Sequence, residues 1–220
     1  MKKKHAKPFE AWLYEEVNLA FGLTRLYEHD FFEQLQHLVV DKNMPNIAQL
    51  RHLQQLLYRK ADAWNEDELK FFFISPFLAL VDYQSSYYNA FTQRPMEVVY
   101  DNNTKITAGR VEFMLARGIQ IPQLPYFFLH EYKPEKRREN DPLGQLLIAM
   151  VAAQYQNADG LPIYGVYVIG RFWYFVILDK QQYAVSQSYD AANPDTVLHL
   201  FAILQYIKSL MEQLYGVVNK

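Results

Sequence analysis

The sequence predicts an α/β protein, a mixed central sheet flanked by helices and preceded by a helical N-terminal extension. Three observations predict it. Apolar periodicity runs along the chain in the order helix, strands, helix, strands, helix. An apolar run at 127–133 has the shape of a buried strand and a helix pattern follows it. About half of the 220 residues are apolar, enough for one sizeable core. The chain divides into an extension over 1–63 and a main domain over 64–220.

Residues 9–62 read as helical throughout. Phe9, Trp12, Leu13, Val17, Ala20 and Phe21 recur at helical spacing, as do Phe31, Phe32, Leu35, Leu38 and Val39, then Ile47, Leu50, Leu53, Leu56 and Leu57. Two functions suit such a region: a surface for a partner or a second copy, or an embellishment packed on the main domain. His29, His37 and His52 lack metal-ligand spacing and read as surface or edge residues. Asn65 can cap the next helix, and Glu66, Asp67 and Glu68 in its first turn complement the helix dipole. Glu66, Leu69 and Phe73 share one side, so Glu66 heads a buried stripe. Pro76 is expected to kink or break this helix, although apolar residues continue to Val81.

Residues 83–95 read as a loop or a frayed helix end. A hairpin follows, with strands at 96–100 and 105–116. In its second strand Glu112 stands alone on an otherwise apolar face, which is costly unless the acid is paired or metal-bound. Gly118 suits a left-handed turn residue. The central strand carries Phe127-Phe128-Leu129-His130-Glu131-Tyr132-Lys133, and alternation puts Glu131 and Lys133 on one face where the strand leaves the core. Asp141 is a good N-cap and Pro142 suits the first position of an apolar helix over 143–156, with Gln145 in its first turn near the strand end. Strands at 163–169, 172–178 and 182–187 form a meander, in which Phe172-Trp173-Tyr174-Phe175 reads as core. A final amphipathic helix spans 194–214.

The chemistry that needs two carboxylates on neighbouring strands beside an ammonium is metal-dependent phosphodiester hydrolysis. Magnesium prefers oxygen ligands and keeps several waters; it makes hydroxide available near neutral pH and offsets charge developing on the phosphate. Glu112 and Glu131 are the ligands on this reading and Lys133 is the ammonium. Lys136, Arg137 and Arg138 follow directly and can receive a phosphate backbone beside the site.

These residues resemble the PD-(D/E)XK nuclease superfamily, whose fold is restriction-endonuclease-like. The likeness lies in Gly109-Arg110-Val111-Glu112 on one strand, Glu131-Tyr132-Lys133 on the next, Gln145 at the head of the following helix, and Glu66 ahead of Phe73-Ile74-Ser75-Pro76. It covers roughly the last two-thirds of the chain. It implies a nuclease that uses Mg2+ or Mn2+ on DNA. Glu112, Glu131, Lys133, Glu66 and Gln145 would then be catalytic: Glu66 supporting the metal or its waters, Gln145 orienting substrate or Lys133. Two positions depart from the family pattern. Glu112 stands where Asp is usual, and its extra methylene moves the carboxylate further from the strand. Ala149 stands where some members carry Tyr. The alternative is a catalytically silent protein of the same fold that binds nucleic acid or protein.

Other chemistries are excluded more simply. With no cysteine, thiolate catalysis, disulfides and zinc-thiolate sites are ruled out. The sequence holds no Gly-x-x-x-x-Gly-Lys, Gly-x-Ser-x-Gly or His-Glu-x-x-His. The 22 basic and 24 acidic residues nearly cancel, so a nucleic acid must be met by a local patch. No apolar run approaches the length of a membrane span or of a signal peptide, so a cytoplasmic soluble protein is expected.

Overall fold

A computed structural model of the chain describes residues 6–83, 85, 87–101, 105–134 and 141–215. They form an α/β fold with one mixed sheet of nine strands among the described residues, flanked by helices. In chain order these are β1 (Lys7–Pro8), α1 (Tyr14–Phe21), β2 (Thr24–Leu26), α2 (Asp30–Gln36), α3 (Ile47–Lys60), α4 (Glu66–Leu69), α5 (Ser75–Val81), β3 (Asn89–Tyr100), β4 (Lys105–Arg117), β5 (Gln123–Lys133), α6 (Pro142–Asn157), β6 (Ile163–Ile169), β7 (Phe172–Asp179), β8 (Gln182–Val185), β9 (Tyr189–Asp190) and α7 (Pro194–Leu214). No helix among the described residues is long and apolar enough to cross a membrane.

The sheet runs β1-β4-β5-β6-β7-β8-β2, with β3 on β4 and β9 on β7. Three pairs are parallel: β1 with β4, β5 with β6, and β2 with β8. The others are antiparallel. Because β5 and β6 are parallel neighbours, the chain must cross over between them, and α6 supplies the crossover. The core lies in two clusters. One is built around Leu50, Leu57, Phe73, Phe77, Trp173 and Leu204, the other around Trp12, Met114, Leu129, Leu147, Met150 and Val176. Trp173 and Phe175 are fully buried, in keeping with their reading as core.

The N-terminal region is helical only in part. Helices α2 and α3 bury Phe31, Phe32 and Leu35, then Leu50, Leu53 and Leu57, as expected. But α1 buries only Val17 of its stripe, Phe9 and Trp12 lie ahead of it, Leu13 and Val39 are exposed, and β1 and β2 add strands to the sheet. Periodicity missed them because two- and three-residue strands are too short to show alternation.

Residues 83–95 also depart from expectation, since β3 begins at Asn89 rather than Met96. Pro95 obscured this. It pairs opposite Arg110 on a strand bonded only to β4, and an edge strand tolerates a proline because its outer side needs no donor. Asp101 opens the hairpin turn, and residues 102–104 of that expected turn lie outside the described residues. Gly118 has φ 95°, the left-handed conformation expected of it.

The helix at 66–81 corrects a further expectation. It does not break at Pro76, because a π-helical turn at Lys70–Ile74 joins α4 to α5. Proline clashes with the carbonyl four residues back and cannot donate to it, so a widened turn just before it relieves both problems. The N–H of Ser75 accordingly reaches back five residues, to the Lys70 carbonyl. The Asn65 cap forms as expected: its side chain accepts from the Glu68 N–H, and the Glu68 carboxylate accepts from the Asn65 N–H.

Asp141 differs. It starts α6 without a side-chain bond to that helix and instead accepts from the N–H of Tyr14 at the start of α1. The two helix starts meet there, and a Cβ on Gly144 would run into the Trp12 carbonyl oxygen.

Candidate metal-binding site

The site lies where two strands part. The β4–β5 ladder ends at Phe113↔His130, and Glu112 and Glu131 are the next residues on the two strands. Beyond that point β4 pairs with β1 instead, at Thr107 and Ala108. Two carboxylates therefore stand in the fork of a diverging pair. The helix at 66–81 brings Glu66 and Lys70 to the same fork, and β5 brings Lys133.

The side chains form one chain of ion pairs. Glu131 Oε1 accepts from Lys133 Nζ at 2.6 Å. Lys133 Nζ is 3.8 Å from Glu66 Oε2. Glu66 Oε1 accepts from Lys70 Nζ at 2.6 Å, and Lys70 also donates to Glu112 Oε2 at 2.6 Å. The same Glu112 oxygen accepts from Gln93 Nε2 at 2.5 Å. Burial is graded across the network, with the side chain of Glu131 3% exposed, Glu112 13% and Glu66 32%. The cluster is closed at Glu131 and opens outward at Glu66.

Burial sets the electrostatics. Desolvation pushes the Glu131 carboxyl up to about 8; the Lys133 ammonium opposes this, while the charges of Glu112 and Glu66 add to it. Burial thus outweighs the attraction of the Lys133 ammonium. For Lys70 burial acts downward, but hydrogen bonds and charges from Glu112 and Glu66 outweigh it and raise its pKa. His130, fully buried on the other side of β5, is held well below its ordinary pKa by desolvation. It is neutral, with Nδ1 2.8 Å from the Tyr132 hydroxyl.

Four of the residues expected from the sequence, Glu66, Glu112, Glu131 and Lys133, therefore meet. Gln145 sits in the first turn of α6, buried, and its Oε1 has no hydrogen-bond partner among the described residues. No hydrogen bond among those residues ties it to the carboxylates. Lys136, Arg137 and Arg138 lie outside the described residues.

Glu112 is not alone on its face, as the alternation suggested, because the helix at 66–81 supplies Lys70 as a partner. Lys70 and Gln93 are the two contributors that sequence reasoning passed over. Lys70 was readable, lying four residues after Glu66 and hence on the same helix face. Gln93 was not. It adopts a left-handed φ of 54° inside a strand, and the β3–β4 ladder skips it between Thr92↔Phe113 and Arg94↔Val111. Glutamine gives no warning of such a conformation.

Among the described residues no group of three or more histidine, aspartate or glutamate side chains converges closely enough to hold a metal ion. The two strands contribute two carboxylates to the fork, which suits a hard cation that keeps most of its waters better than one needing an all-protein cage. No protein-family model matches the sequence, and no curated protein matches it.

Proposed function

We propose that the chain is a nuclease of the PD-(D/E)XK, restriction-endonuclease-like class that hydrolyses phosphodiester bonds of DNA with Mg2+ or Mn2+. The observation that carries this reading is the meeting of Glu66, Glu112, Glu131 and Lys133, from one helix and two strands, at the fork between β4 and β5. Glu112 and Glu131 would hold the ion. When bound, the metal supplies a more acidic water and offsets charge developing on the phosphate. Lys133, held by Glu131 and steadied by Glu66, orients the attacking water or a phosphate oxygen. Glu66, the most open of the three acids, accepts hydrogen bonds from water entering the fork. The unpartnered Gln145 Oε1 offers a further acceptor at the head of α6.

Plasmid nicking with Mg2+ or Mn2+ tests this. The natural chain cleaves only with metal, and Glu131→Ala abolishes the activity. Equal cleavage by both proteins, or by neither over a broad set of substrates, counts against it.

One set of observations favours a second reading, a silent protein of this fold that binds nucleic acid or a protein partner. Lys70 and Lys133 already pair the carboxylates, and Glu131 is nearly closed to solvent. On this reading divalent cations do not raise the melting temperature, whereas a competent site stabilises the folded chain by mass action.

A further inference from the structure

We infer that the Lys70 ammonium is a built-in competitor for the candidate site, holding the Glu112 carboxylate that a divalent ion must take over before the site can act. The inference rests on the nuclease reading above. Lys70 Nζ lies 2.6 Å from Glu66 Oε1 and 2.6 Å from Glu112 Oε2, so one compact cation bridges carboxylates from a helix and a strand. A hard metal ion would draw on the same Glu112 carboxylate, with two charges rather than one.

The backbone builds this arrangement. Lys70 is the first residue of the π turn that Pro76 requires, and Gln93 takes its left-handed conformation opposite, donating to the oxygen that Lys70 holds. Glu112 Oε2 is thus held by two donors. The ammonium also has somewhere to go. Lys70 and Glu112 line a cavity of about 590 Å3 whose lining also includes the acids Asp67 and Asp82, so the flexible side chain can withdraw into it without leaving its charge unmatched. Lysine fits this role because its charge sits at the end of four rotatable methylenes.

A ligand that needs a rarely populated arrangement binds more weakly by that population. Removing the competing ammonium therefore strengthens metal binding. Isothermal calorimetry with Mn2+ and no DNA compares the natural chain with Lys70→Met, each checked for folding by thermal denaturation. The expected result is that Lys70→Met binds Mn2+ about tenfold or more tightly. Equal or weaker binding by the variant overturns the inference and leaves the nuclease reading standing. Binding by neither protein overturns both. Lys70→Gln, which keeps a hydrogen-bond donor without the charge, must shift affinity in the same direction, and it serves if the methionine variant does not fold.

Discussion

Replacing Glu131 by Gln probes the electrostatics of the fork without disturbing its shape, because the amide oxygen can still accept from Lys133. The natural carboxyl is raised from an ordinary 4.5 to about 8 in the folded chain, chiefly by burial. Between those values the folded protein keeps a proton that the unfolded chain has lost. A raised carboxyl therefore contributes stability that is fully present below about pH 4.5 and is lost as pH rises through about 8. At roughly 1.4 kcal/mol per pKa unit the loss is on the order of 5 kcal/mol, and with the side chain almost wholly buried, solvent screening takes little of it away. Urea unfolding in EDTA, followed by tryptophan fluorescence from pH 4.5 to 9, measures it as the difference between the natural chain and Glu131→Gln, in which other titrating groups cancel. The natural chain should lose stability relative to the variant across this window. Saturating Mg2+ should shrink that dependence, because a bound dication favours the ionised carboxylate. A difference that stays constant within about 1 kcal/mol refutes the electrostatic reasoning.

Other consequences are open to direct measurement. Lys133→Ala leaves the buried Glu131 without its nearest cation and should cost about 3–5 kcal/mol at pH 9 but less at pH 5, where Glu131 takes up a proton; urea titrations at the two pH values compare them. Phe73→Ala empties a fully buried position beneath the π turn and should cost about 3–5 kcal/mol in the same assay. Gly144→Ala pushes a methyl group against the Trp12 carbonyl and should lower stability by about 1–3 kcal/mol; an unchanged melting temperature would show that the α1–α6 approach can relax.

Much of this fold was legible because long elements repeat their pattern. The bounds of β6 and α7 fall where the sequence places them, β7 runs one residue longer at its end, and α6 one residue longer at each end. Legibility failed where the pattern was short or its backbone unusual. The strands β1 and β2 are held by neighbours rather than by their own alternation, and β3 hides behind Pro95 and the left-handed Gln93. Pro76 shows a different limit: a proline signals a conflict in the helix, but not that a π turn will absorb it.

At the site, Glu131 and Lys133 could be assigned to one face from alternation alone, and Glu66 to the buried side of its helix. What the sequence withheld was the partnership across elements. Lys70 bonds to Glu112 at a separation of 42 residues, a contact only the packed helix and strand create. Asp141 likewise looks like a cap for its own helix and serves another.

The central claim is that Glu112 and Glu131 share one divalent ion at the fork. Anomalous scattering from crystals soaked in Mn2+ tests it most directly. A single strong peak bonded to both carboxylates is expected, at about the 2.1 Å typical of a small hard cation, with Lys70 withdrawn from Glu112. No peak at the fork under saturating Mn2+, with Lys70 still bridging Glu66 and Glu112, would contradict it.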